Sequence, residues 1–195
     1  MSKRMTNTTS DFILWSDMLN LVRNLFEDKN YKMSLLISCG SFFGLRISDL
    51  LTLTWKQILN AEYLELTEKK TSKKRTIKIN PKLQKHIKNC YNAISPISIN
   101  SKCFVSQMGT VYSIQRINVI MKEIKSKYNL KIDNFSTHSL RKTFGREVYT
   151  QAGTNSEFAL IKLSELFNHS NTSITRRYLG LKFEEMMQTY DCLTF

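Results

Sequence analysis

Six residues of this 195-residue chain are of the right types, in the right order, to work on a phosphodiester. Arg46 follows a glycine in GLRISDLLTLTW, and His138 and Arg141 stand three apart in HSLR, on one helical face. Lys70 opens the basic run KTSKKR, and HSNTSITRRY sets Tyr178 nine positions after His169. Breaking a nucleic-acid strand without metal or water needs a nucleophile, cations that hold the phosphate as its charge redistributes, and an acid for the leaving oxygen. Tyrosine can be the first, and planar guanidinium forks suit the second.

The elements that must position these groups are legible in the apolar spacing. Leu14, Met18, Leu21, Val22 and Leu25 predict a helix, and the run from Met33 to Phe43 predicts a second that stops at Gly44. Arg46 then falls on a turn. Ser48 and Asp49 are expected to cap a short third helix reaching Leu53. Alternation predicts strands over 63–67 and 75–79, with the polar turn EKKTSKK between them. Pro81 opens a helix PKLQKHIKNCYNAI, CFVS reads as a short strand, and helices are expected over 113–128, 138–151 and 158–167. A short one ends near Tyr178 and another covers 183–190. The expected fold class is mainly α with a small antiparallel β-hairpin.

Composition bounds the function. With 29 Lys+Arg against 16 Asp+Glu, the net charge of +13 is the footprint of a polyanion binder, and double-stranded DNA is the first candidate partner. The lysines are spread over several elements and not gathered on one amphipathic helix, which argues against a membrane surface. No span-length apolar run or secretory h-region occurs, so the expected location is the cytoplasm. Cys39, Cys90, Cys103 and Cys192 lie far apart without a CxxC pair and read as reduced, buried thiols, with neither metal nor cofactor expected. Residues 1–10 form a flexible N-terminal segment and 11–195 one domain.

From about Asp11 onward the chain resembles the tyrosine recombinase, or phage integrase, family, on the motifs GLRISDLLTLTW, HSLR and HSNTSITRRY. The resemblance implies the catalytic-domain fold of these DNA breaking-rejoining enzymes. It makes Arg46 and Arg141 the phosphate clamp, Lys70 the acid for the leaving 5′ oxygen, and His138 and His169 the two box histidines. Tyr178 becomes the nucleophile, forming a 3′-phosphotyrosine. Lys69, Lys73 and Lys74 compete with Lys70, while the rival tyrosines Tyr149 and Tyr190 lack a histidine at that spacing. Asp49 matches the acidic residue of the first box, orienting an arginine or capping its helix.

Lys73, Lys74, Arg75, Lys142, Arg146, Arg176 and Arg177 are candidate DNA contacts around the site, and Gln115, Arg116 and Asn118 could read base edges. The family pattern further implies a monomer when free and a homotetramer on DNA, with the apolar C-terminal tail docked on a neighbour or folded back. Two departures stand out. Phe167 and Asn168 replace leucine and glycine before the second histidine, and there is no room for an N-terminal core-binding domain. Either such a domain lies upstream, or the chain is a short recombinase of the kind that includes fimbrial phase-switch invertases. Rival functions are type IB topoisomerase-like relaxation and a catalytically silent DNA-binding regulator.

Overall fold

The structure is a computed structural model that describes residues 10–181 together with 186, 187, 189 and 190. The chain divides into two compact units, Met1–Thr143 and Phe144–Phe195.

The first unit is built on two sequence neighbours that pack together, α1 (Trp15–Glu27) and α2 (Tyr31–Phe43). α1 buries Met18, Leu21, Val22 and Leu25, the expected stripe, but Leu14 stands outside the helix and is exposed. α2 is apolar or small on nearly every face, as a central helix must be, and it ends where Gly44 adopts φ 57°, a conformation that costs glycine least. α3 (Ile47–Leu50) is shorter than expected. Ser48 and Asp49 lie inside it and Arg46 holds the N-cap position, so neither side chain caps this helix. Next comes α4 (Trp55–Ile58), which the sequence does not announce; Gln57 Oε1 accepts the Thr54 N–H at 3.0 Å to close its first turn.

β1 (Tyr63–Thr67) and β2 (Lys74–Lys78) form an antiparallel hairpin with Leu64 opposite Ile77 and Leu66 opposite Arg75. The second strand begins one residue earlier than its alternation suggested. α5 (Pro81–Ile94) has the expected limits, because Asn80 caps Lys82 N–H and Pro81 sits where its missing N–H costs nothing. CFVS is not a strand: Cys103 and Phe104 are buried, and pairing is limited to the isolated bridges Thr54–Lys102 and Val105–Val111. α6 (Ile114–Lys127) follows the Ser113 cap. The core gathers Trp55, Phe43 and Phe104 with the α1 and α2 stripes, each large side chain contributing roughly 2–3 kcal/mol by leaving water.

α7 (Thr137–Gln151) contains the boundary between the units. The second unit continues through a single 3-10 turn (Gly153–Asn155) to α8 (Ser156–Phe167) and α9 (Thr172–Leu179), whose first turn is capped by Asn171. Its own core is Leu160, Leu163, Phe167, Leu179 and Leu181, with Phe144, Val148, Tyr149 and Tyr178 packed against it. The helix expected over 183–190 lies largely outside the described residues, as do Leu193, Phe195 and Cys192.

Cys39, Cys90 and Cys103 are buried and free. Burial pushes all three thiols up, Cys90 to about 12, so they are packing residues and not nucleophiles. Among the described residues no group of three His, Cys, Asp or Glu is placed to hold a metal, and no helix is long and apolar enough to cross a membrane.

Candidate active site

In the first unit the site is organised around the turn at 43–46. Because α2 stops at Gly44, the backbone carbonyls of Phe43 and Gly44 have no helical partner and turn outward. Two guanidiniums satisfy them: Arg141 Nη1 donates to the Gly44 carbonyl at 2.6 Å, and Arg75 Nη2 to the Phe43 carbonyl at 3.1 Å. Arg46, the next arginine along, donates through Nη1 to Glu68 Oε2 at 2.8 Å. Arg75 Nη1 reaches the other oxygen of the same carboxylate at 3.2 Å. Three arginines from three elements therefore meet one short stretch of backbone and one buried acid.

Like charges brought together in this way need compensation, and Glu68 supplies it. Burial raises its carboxyl, but hydrogen bonds from Thr71 and Arg46, the Arg46 charge and a hydrogen bond from Arg75 outweigh burial and hold it below its ordinary value. Burial lowers Arg75 from its ordinary value, with the Glu68 carboxylate opposing. Arg141 is buried and Arg46 retains 22% side-chain exposure, so the latter still faces solvent.

The hairpin turn is tied to the same turn of backbone. Lys69 N–H donates to Asp49 Oδ1 at 2.9 Å and Thr71 Oγ1 to Glu68 Oε2 at 2.8 Å, so the residues on both sides of exposed Lys70 are anchored. Asp49 thus caps the hairpin turn and not its own helix, and its charge also acts on Arg75. At the start of α7, exposed His138 stands one turn before Arg141. Desolvation, then the charges of Lys142 and Arg141, lower its pKa, which favours the neutral imidazole.

The second unit carries the remaining pair. His169 Nδ1 lies 3.0 Å from the buried Thr175 hydroxyl. Its ring packs edge-on to Tyr178, with centroids 5.5 Å apart, and Phe167 stands at 5.5 Å from His169 and 5.6 Å from Tyr178. Phenylalanine in place of leucine therefore completes a three-ring cluster around the nucleophile candidate. Asparagine in place of glycine is equally local in cause: Asn168 caps α8 at φ 53°, a conformation that asparagine tolerates better than other side chains.

The expected DNA contacts divide. Lys73, Lys74 and Arg177 are exposed, and Arg146 is half-buried. Arg75 is bound to Glu68 and Phe43, Lys142 is half-buried with Nζ donating to the Ser10 carbonyl, and Arg176 pairs with Glu157. Asn118 Oδ1 accepts the Thr137 N–H and so caps α7, while exposed Arg116 pairs with Glu123 at 3.5 Å. Of the rival tyrosines, Tyr149 packs in the second core and Tyr190 is exposed. Sequence reasoning missed Glu68 and Thr175. Glu68 had one weak signal, an acid opening an otherwise basic turn; Thr175 had none beyond its helical spacing three residues before Tyr178.

A helical domain with this hairpin, arginine turn, HxxR helix and His–Tyr pair is the catalytic fold of a DNA breaking-rejoining enzyme. The phage integrase family model matches residues 17–185. The chain is 34% identical over 171 residues to the probable integrase/recombinase YoeC of Bacillus subtilis strain 168, covering 87% of this chain and 88% of that protein. A tyrosine recombinase of Pseudothermotoga lettingae is 29% identical over 180 residues, which are 90% of this chain but 58% of that protein. The crystal structure of XerA recombinase shares the fold with a TM-score of 0.72 at 17% identity, over 96% of this chain and 67% of that one. The chain belongs to the phage integrase family, and its enzymatic class is that of the tyrosine site-specific recombinases.

Proposed function

We propose that Tyr178 attacks a DNA phosphate and is joined to its 3′ side, releasing a 5′ hydroxyl. Arg46 and Arg141 hold the non-bridging oxygens, their planar donors matching the charge that develops there. His138, the first residue of the HxxR box, is a candidate hydrogen-bond partner of the phosphate. Lys70 gives a proton to the departing 5′ oxygen. His169, whose ring is held by the 3.0 Å bond between Nδ1 and the Thr175 hydroxyl, supports the transition state by a hydrogen bond to a phosphate oxygen. Attack by a second 5′ hydroxyl reverses these transfers, so the phosphodiester energy is conserved in the tyrosine link and no cofactor is consumed.

The observation that carries this reading is the convergence of Arg46, Arg141 and the anchored Lys70 turn on residues 43–46. The net charge of +13 supports double-stranded DNA as the partner, bound largely through phosphates. Monomer in solution, homotetramer on DNA and a cytoplasmic location complete the proposal. Its test is a nicked suicide duplex with randomised flanks, run on a denaturing gel. A covalent protein–DNA band is expected for the wild type and not for Tyr178→Phe. A band that survives the substitution moves the nucleophile elsewhere, and DNA binding without any band supports the silent regulator. Exchange between two duplexes, as opposed to relaxation of one, separates recombination from topoisomerase action.

A further inference from the structure

The buried carboxylate of Glu68 is used by none of the chemical steps above, yet it is bonded to Arg46, Thr71 and Arg75 at once. It is 4% exposed. Oε2 accepts from Arg46 Nη1 and from Thr71 Oγ1, both at 2.8 Å, and Oε1 accepts from Arg75 Nη1 at 3.2 Å. Its backbone also sets the hairpin turn: Glu68 N–H donates to the Lys73 carbonyl at 3.0 Å and its carbonyl accepts from Ser72 N–H at 2.8 Å. One residue therefore fixes both the guanidinium of Arg46 and the turn that carries Lys70.

Burying an acid is expensive unless its charge is met, and a purely structural role could be filled at lower cost by an apolar side chain. Removing the carboxylate would take away the charge that bridges Arg46 and Arg75, whose mutual repulsion already weighs on Arg75, and leave Asp49 as the remaining acid acting on Arg75. Arg46 sits on a turn, its side chain has many rotamers, and a phosphate clamp depends on holding one of them. The geometry points to Glu68 as a positioning residue for DNA cleavage, aiming Arg46 at the phosphate and keeping the Lys70 turn in register with it. This inference rests on the assignment of Arg46 to the phosphate clamp.

The test measures single-turnover cleavage of the randomised suicide duplex at saturating protein, with duplex affinity by anisotropy and thermal unfolding in parallel. Glu68→Gln is expected to slow cleavage by on the order of tenfold or more, while duplex affinity holds or rises because a negative charge is lost. Glu68→Asp, which keeps the charge on a shorter arm, should recover part of the rate and serves if the amide variant does not melt cooperatively. Within an Arg46→Lys background, Glu68→Gln should cost little more, since it acts through the guanidinium that has gone. Wild-type cleavage by Glu68→Gln, or a full additional loss in the Arg46→Lys background, overturns the positioning role. Wild-type cleavage by Arg46→Ala overturns instead the assignment of the clamp on which it rests.

Discussion

Arg141 Nη1 donates to the carbonyl of Gly44 at 2.6 Å, and Gly44 stands two residues before Arg46. An arginine of the HxxR helix is thus bonded to the turn that carries Arg46, so the two arginines proposed to clamp the phosphate are fixed relative to each other through backbone. Arg141→Ala should remove a charge-assisted bond and leave the Gly44 carbonyl buried without it, costing about 2 kcal/mol in urea unfolding as well as abolishing cleavage. Arg141→Lys keeps the charge but not the fork, and cleavage should fall by about a hundredfold or more. An Arg141→Ala protein as stable as the wild type would show that the bond to Gly44 does no structural work.

The basic residues around the hairpin should behave in two distinct ways. Lys73 and Lys74 are exposed, and replacing either by glutamine should weaken duplex binding and reduce the slope of log affinity against log salt by about one. Arg75 is pinned between Glu68 and the Phe43 carbonyl. Arg75→Gln should leave the salt slope nearly unchanged and instead lower stability, because it strips a partner from a buried carboxylate. Titrating the three variants over a salt series by fluorescence anisotropy, with denaturant curves alongside, distinguishes the classes; an equal drop in slope for Arg75→Gln would return it to the phosphate-contacting set.

That contrast marks where the sequence was informative. Helix limits were readable wherever a local cap and an apolar stripe agreed, as at Asn80–Pro81 for α5 and Ser113 for α6. They failed where tertiary bonds decide: Asp49 looks like a helix cap but spends its carboxylate on the hairpin, 20 residues away. The catalytic candidates Arg46, Arg141, His169 and Tyr178 could be named because their residue types and spacing are rare in combination. Glu68 and Arg75 could not be paired, since in a run such as EKKTSKKR every charge looks solvated until the fold turns two of them inward. Asn168 is the opposite case, a departure from pattern that is explained by its own φ.

Two histidines couple stability to acid. Burial lowers the pKa of His86 below its ordinary 6.5, the hydrogen bond with Ser34 opposing, and desolvation with the charges of Lys142 and Arg141 lowers that of His138. In both cases the unfolded chain takes up the proton first as pH falls, so folding stability is intact above about pH 6.5 and declines below it until the depressed folded values are reached. Unfolding free energy measured from pH 7.5 to 5 should therefore fall, and His86→Gln should flatten part of that dependence. His138→Gln should flatten another part and also slow cleavage. A profile unchanged by both substitutions would assign the acid sensitivity to other groups.

Gly145 on α7 is packed too closely to take a side chain without movement. A Cβ there would lie 2.6 Å from Leu179 Cδ2 and 3.1 Å from the Phe167 ring, and both partners are buried. Leu179 is the residue after Tyr178, and the Phe167 ring packs edge-on to Tyr178 and His169. Gly145→Ala gains helix propensity but has to displace one or both side chains, for a net cost of about 1–3 kcal/mol. Because the displaced groups support the tyrosine and not the phosphate clamp, cleavage should drop by roughly tenfold or more while duplex affinity stays at the wild-type value. Gly145→Ser should do the same or worse. If Gly145→Ala instead raises the melting temperature and cleaves normally, Leu179 and Phe167 have room to move, and the position of Tyr178 is not set by that contact.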